Sequence, residues 1–163
     1  MSEMDYSLII RRAMPDIKEA EAILKVMRNA FEKYQHDTGI SEKPRALLES
    51  TDDILNDIKN SHVYIALLDG EAVGSIRVEI DEEKHTAYIR RFGVVTGCQN
   101  IGIGKSFMNL LDKLLVSKGV KKATLYTASK YTALVRFYYG CGFYVESTNT
   151  DKGYLRALLV KDY

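Results

Sequence analysis

The chain has 163 residues, 46% hydrophobic and 28% charged, with a net charge of +1. These values suit one globular domain, 1–163, with a core of its own, and they give no footing for a basic nucleic-acid surface or a membrane-binding one. No apolar run approaches the ~20 residues that span a bilayer, and the opening MSEMDYSLII lacks the basic start and long apolar centre of a secretory leader, so a cytoplasmic protein is expected.

Taken in order, Tyr6 to Arg11 reads as a first strand. Pro15-Asp16 opens a helix, because proline is tolerated in the first turn. Ala20, Ile23, Leu24, Met27, Phe31 and Tyr34 line one face of it, and it ends before Gly39. HDTGISEKP is a polar, turn-rich connection. Ser50 to Asp53 offers N-caps for a second helix carrying Ile54, Leu55 and Ile58. The connection between these helices, residues 35–50, is expected to overhang a substrate pocket. Residues 62–95 read as a three-strand meander. HVYIALL is followed by the tight-turn pair Asp69-Gly70. Then comes an alternating strand with Ile76, Val78 and Ile80 on one side and Arg77 and Glu79 on the other. After the charged turn 81–84, residues 85–95 form the third strand.

That third strand feeds the most informative stretch, Gln99-Asn100-Ile101-Gly102-Ile103-Gly104-Lys105-Ser106. A helix starts near Gly104, with Phe107, Leu110, Leu111, Leu114 and Leu115 on one face. The first amides of a helix lack internal partners and carry partial positive charge, so such a turn binds anions. Glycine removes the side chains that would block a phosphate, and Lys105 adds a cation. A GxxxxGKS loop needs glycine at 99, which is Gln, and a dinucleotide GxGxxG needs glycine at 107, which is Phe. Gly119 ends the helix, and 123–128 is a strand. A strand–helix–strand crossover joins parallel strands, which places loop 96–104 at the carboxyl end, where open α/β sheets bind ligands. Residues 131–140 form a short helix, and 143–147 with 154–160 close as a hairpin.

Two motifs resemble one family. Gln99-x-x-Gly102-x-Gly104 after Val94-Val95 resembles the pyrophosphate motif of the GNAT superfamily of acyl-CoA-dependent N-acetyltransferases. Phe137-Tyr138-Tyr139-Gly140-Cys141-Gly142-Phe143 resembles its signature F-Y-x-x-x-G-F. The order of elements matches over nearly the whole chain. Tyr131 stands where the family often has asparagine, Leu134 where it has a small residue and Thr96 where it has proline.

The resemblance implies an α/β (α+β) single-domain fold: a mixed, mostly antiparallel sheet of about seven strands, splayed between strands 85–95 and 123–128 and flanked by about four helices. It implies acetyl-CoA as donor and a primary amine of a small molecule or peptide as acceptor, with direct transfer and often a homodimer. The pantetheine arm would bond to backbone at Phe92, Gly93 and Val94, and the pyrophosphate to the amides of Gln99 through Ser106. Tyr138 is the candidate acid that protonates the leaving thiolate, with Tyr131 and Tyr139 as alternatives. Many relatives place a glutamate base on the central strand, where this chain has Tyr88, Arg90 and Arg91. Glu79, His85 or water is then the base. Arg77, Arg90 and Arg91 either attract an anionic substrate or pair with Glu79 and its neighbours. Two other classes remain open, namely a catalytically silent CoA-binding or regulatory module and a nucleotide phosphotransferase. The latter calls for Mg²⁺-holding carboxylates that 123–130 does not offer.

Cys98 and Cys141 lack metal-ligand spacing and read as free thiols in a reducing compartment. Cys98, beside the loop, is either reactive or a buried inert thiol. His36, His62 and His85 are scattered, so no metal is expected. Activity should therefore survive EDTA; loss on chelation, restored by one added metal, would overturn this.

Overall fold

The structure is a computed structural model and describes residues 6–163; the first five residues, on which the leader reading partly rests, lie outside the described residues. In chain order it contains β1 (Leu8–Arg12), α1 (Ile17–Thr38), a 3₁₀ turn (Arg45–Leu47), α2 (Thr51–Asn60), β2 (His62–Leu68), β3 (Glu71–Asp81) and β4 (Thr86–Val94). There follow α3 (Ile103–Ser117), β5 (Lys122–Ala128), α4 (Thr132–Gly140), β6 (Tyr144–Asn149) and β7 (Arg156–Asp162). Local chemistry sets the helix ends. Asp16 accepts from the Glu19 amide at 2.8 Å to start α1, and Gly39, at φ 67, ends it. Ser50 and Asp53 form a reciprocal capping box at α2.

The strands form one sheet in the order β1-β2-β3-β4-β5-β7-β6, antiparallel throughout except for the parallel pair β4–β5. This is the seven-strand, four-helix arrangement expected. The first strand begins at Leu8 rather than Tyr6. Helices cover both faces. Ala20, Ile23 and Met27 of α1 and Ile54 and Ile58 of α2 bury against Val63 and Ile65. Phe107, Leu111 and Leu115 of α3 bury against Ile76, Val78 and Ile89 on the other face. Each of these side chains other than Ala20 contributes about 1.5–3 kcal/mol on full burial.

The alternation in β3 is as expected, but its polar side does not meet water. Arg77 is 0% exposed, because α2 and the connection before it cover that face. Its terminal nitrogens donate to Glu49 at 2.6 and 2.9 Å and to Asp57 at 2.9 Å, and Arg90 donates to the same Asp57 oxygen at 3.0 Å. A charge buried in this way is tolerable only with such partners.

Two irregularities shape the centre of the sheet. Ser75 lies opposite Gly93, yet Arg77 lies opposite Arg90, so β4 has one residue more than β3 in this interval. Arg91, at φ 54, sits within that bulge; a bulge bends its strand and increases the twist. Moreover, β4 and β5 pair only from Thr86–Lys122 to Tyr88–Thr124 and then separate. α1 crosses β4 closely at Gly93, where a Cβ would come within 2.8 Å of the Ala30 Cβ.

Burial pushes the Asp57 carboxyl up, but Arg90 and Arg77 outweigh it and hold the group below the ordinary carboxylate value. A depressed pKa contributes stability that is complete above the unfolded value of about 4 and lost as pH falls through the folded one. Asp57→Asn should therefore cost roughly 2 kcal/mol at pH 7, measured by urea unfolding, with the deficit shrinking below pH 4. A deficit independent of pH would show that the charge of Asp57 is not what stabilises the fold.

Candidate functional site

The separation of β4 from β5 leaves the Phe92–Val94 edge without a strand beside it. A cleft of about 280 Å³ opens there, walled by Phe92, Gly93 and Val94, by Ala30 and Tyr34 of α1, by Gln99, Asn100 and Gly104 at the head of α3, and by Tyr131, Leu134 and Phe137. At its far end α3 begins one residue earlier than expected. Gly102, at φ 86, precedes Ile103, and no side chain caps the helix. Among the described residues, the amides of Gln99 through Lys105 have no hydrogen-bond acceptor. The Ser106 amide is already committed to the Gly102 carbonyl at 3.0 Å, which leaves only its hydroxyl for a ligand. The row of free amides beside exposed Lys105 suits a diphosphate.

The two glycines of the motif do different work. Gly102 meets open space and serves the left-handed turn. A Cβ on Gly104 would lie 3.1 Å from the rings of Phe92 and Phe137, which stack at 5.9 Å between centroids. Gly104 thus lets α3 approach that aromatic pair. Ile103 is a core residue at 0% exposure, whereas Ile101 is exposed.

Tyr138 packs against Phe92, Phe137 and Phe143 with centroids 6.3, 5.5 and 5.8 Å apart. It lies behind the rings that wall the cleft and is buried. Burial, with the nearby phenol of Tyr34 adding to it, pushes its hydroxyl well above the ordinary phenol value. Tyr139 points to solvent at 51% exposure. Tyr131 lines the cleft and donates to Asp37 at 2.8 Å.

The sequence places Tyr34 only on the apolar face of α1. Its hydroxyl accepts from the Ala128 amide at 2.8 Å and so ties α1 to the end of β5 across the cleft. Burial pushes this phenol up to about 12, against the opposing effect of the Ala128 amide. Its position i+3 from Phe31 predicts burial, but nothing local predicts its partner.

Glu79 is half exposed, and its Oε1 accepts from Arg90 at 3.1 and 3.2 Å. It lies four residues along β3 from Ser75, the residue opposite Gly93, a distance of roughly 13 Å at strand rise. His85 precedes β4 at the end away from the cleft, roughly 26 Å from Gly93 by the same rise. As a base acting at this cleft it is excluded by distance. Among the described residues, no grouping of His, Cys, Asp and Glu has the arrangement to hold a metal ion, and no helix is long and apolar enough to cross a membrane.

Residues 25–143 match the model of the acetyltransferase (GNAT) family. The chain belongs to this family. The PaiA N-acetyltransferase of Thermoplasma acidophilum, solved with coenzyme A, is 23% identical with a TM-score of 0.83, covering 96% of this chain and 99% of its own. A GNAT-family acetyltransferase from Streptococcus pneumoniae is 17% identical with a TM-score of 0.72, covering 96% and 100%. The ribosomal-protein-S18-alanine N-acetyltransferase of Escherichia coli is 13% identical with a TM-score of 0.74, covering 96% and 94%. At these identities the likeness is one of fold. Among curated proteins, none matches the chain. GNAT membership makes the protein an acyltransferase.

Lys105→Gln should weaken CoA binding about 2- to 5-fold, as expected for an exposed cation, with the difference fading at high salt and Tm unchanged. Gly104→Ala, by contrast, should lower Tm and affinity together, because Phe92 and Phe137 must give way. Calorimetry and thermal unfolding check both; a Gly104→Ala protein of unaltered Tm would remove the packing role.

Proposed function

We propose that this chain moves an acetyl group from acetyl-CoA directly to a primary amine of a small molecule or peptide. The observation that carries the reading is the unpaired β4 edge leading to the uncapped head of α3. An extended arm bearing amides can add to that edge as a strand does, with a diphosphate at the free amides of Gln99 to Lys105. Bound acetyl-CoA supplies an activated thioester. Backbone at Phe92, Gly93 and Val94 would orient it, and an amide facing the carbonyl oxygen as charge develops contributes about 3 kcal/mol. Direct transfer needs little more than positioning of the two reactants.

Two protons must move. An amine with a pKa of about 10.4 costs roughly 4–5 kcal/mol to deprotonate at pH 7. Glu79 is a base only at a distance, so the proton leaves through water whether or not Glu79 receives it. Tyr138 donates to the departing thiolate. The phenol keeps its proton throughout the working range and so is available as an acid, while the same burial makes it a weaker one than a free phenol.

The test is release of free thiol from acetyl-CoA with a panel of amines and peptides. Release that never depends on an added amine would overturn the reading in favour of a silent CoA-binding module. Tyr138→Phe should lower kcat by about 10²–10⁴-fold with little change in the directly measured Kd for CoA. Tyr34→Phe should leave kcat within a few fold. The reverse pattern would transfer the acid role to Tyr34. Because burial raises both phenols, kcat should climb as the amine loses its proton and not turn down below pH 10.

A further inference from the structure

The bulge of β4 separates two clefts. Phe92 and Gly93 wall the first, and Arg90 and Arg91 wall a second, open one of about 350 Å³, lined also by Arg45 and Glu49 from the α1–α2 connection and by Asp53 and Asp57 of α2. The charges in this second cleft are unequally satisfied. Glu49 accepts from both terminal nitrogens of Arg77, and Asp57 from Arg77 and Arg90. These carboxylates therefore have guanidinium partners already. Arg91 does not have the equivalent. Its Nε is buried without a hydrogen-bond partner, and the nearest carboxylate oxygen, on Glu49, is 3.6 Å away, beyond hydrogen-bonding geometry. Among the described residues its terminal nitrogens have no partner, and Arg45 has no carboxylate within 4 Å. Burial pushes the Arg91 guanidinium down, against Glu49, and Arg77 and Arg90 push it the same way. A cation thus stands under-compensated in a cleft one residue from the backbone that would hold the thioester.

We infer that the second cleft receives the acceptor and that Arg91, with Arg45 beside it, binds a carboxylate there, so that the acceptor is an amine that also carries a free carboxylate. The inference rests on the acetyltransferase reading. A guanidinium offers two parallel N–H groups that match a carboxylate. A di- or polyamine, by contrast, would have to compete with Arg77 and Arg90 for Glu49 and Asp57, and with the Ser50 amide, which donates to Asp53 at 2.8 Å, for the remaining carboxylate.

The test compares amino acids with their carboxamides and with diamines of matching length, reading thiol release from acetyl-CoA. The acid should exceed its amide in kcat/KM by roughly 10- to 100-fold, mostly through KM, as for a charge-assisted hydrogen bond. Arg91→Gln should collapse that ratio towards one, and Arg91→Lys should restore part of it. If Arg91→Gln does not fold, Arg45→Gln, at the exposed rim, should narrow the ratio instead. Thiol release that is equal for acid and amide, or greater for diamines, overturns this inference alone. Failure of CoA to bind in calorimetry, or no release with any amine, overturns the transferase reading and this inference with it.

Discussion

β4 turns away from β5 after Tyr88, having shared three residue pairs with it. A strand edge in a folded protein leaves backbone N–H and C=O groups that need partners. On the side of β4 away from β3, the neighbouring strand is absent along Phe92–Val94, and the Gln99 side chain reaches only the Val94 carbonyl, at 3.4 Å. The cleft, the exposed head of α3 and the aromatic layer beneath all take their positions from this separation. Phe92 belongs to the edge, stacks on Phe137 and limits how closely Gly104 lets α3 approach.

The charged network on the opposite side of β4 has a different consequence. Buried ion pairs contribute little net stability compared with apolar residues of the same shape. The effect of this one is positional. Through Glu49 and Asp57, the connection before α2 and α2 itself are joined to Arg77 on β3 and Arg90 on β4. The segment that overhangs the sheet is thereby held against the residues that flank the bulge. Arginine suits this task because one planar group can bridge two carboxylates.

Phenols rather than carboxylates or imidazoles surround the first cleft. Tyr34, Tyr131 and the deeper Tyr138 are uncharged at neutral pH, so they can lie in an apolar layer without the desolvation cost of an ionised group. Burial raises Tyr34 and Tyr138 further. A phenol raised in this way keeps its proton at neutral pH and gives it up less readily than a free one.

Much of this was legible in the residues themselves. The 3.6-residue period of Phe107, Leu111 and Leu115, the Ser50–Asp53 cap, the Asp69-Gly70 turn and the Gly102/Gly104 spacing act within a few positions of one another, so local pattern determined the elements, their order and the anion-binding turn. The tertiary structure decided what depends on distant partners. Arg77 and Glu79 share one face of β3, yet α2 buries the first and leaves the second exposed. The extra residue of β4 appears only against the register of β3, and it is this that sets Arg91 at a left-handed φ. Tyr34 lies 94 positions from the Ala128 amide it accepts from, and His85 reaches the wrong end of its strand. Register, covering layers and cross-chain hydrogen bonds are properties of the packed chain, and no window of sequence contains them.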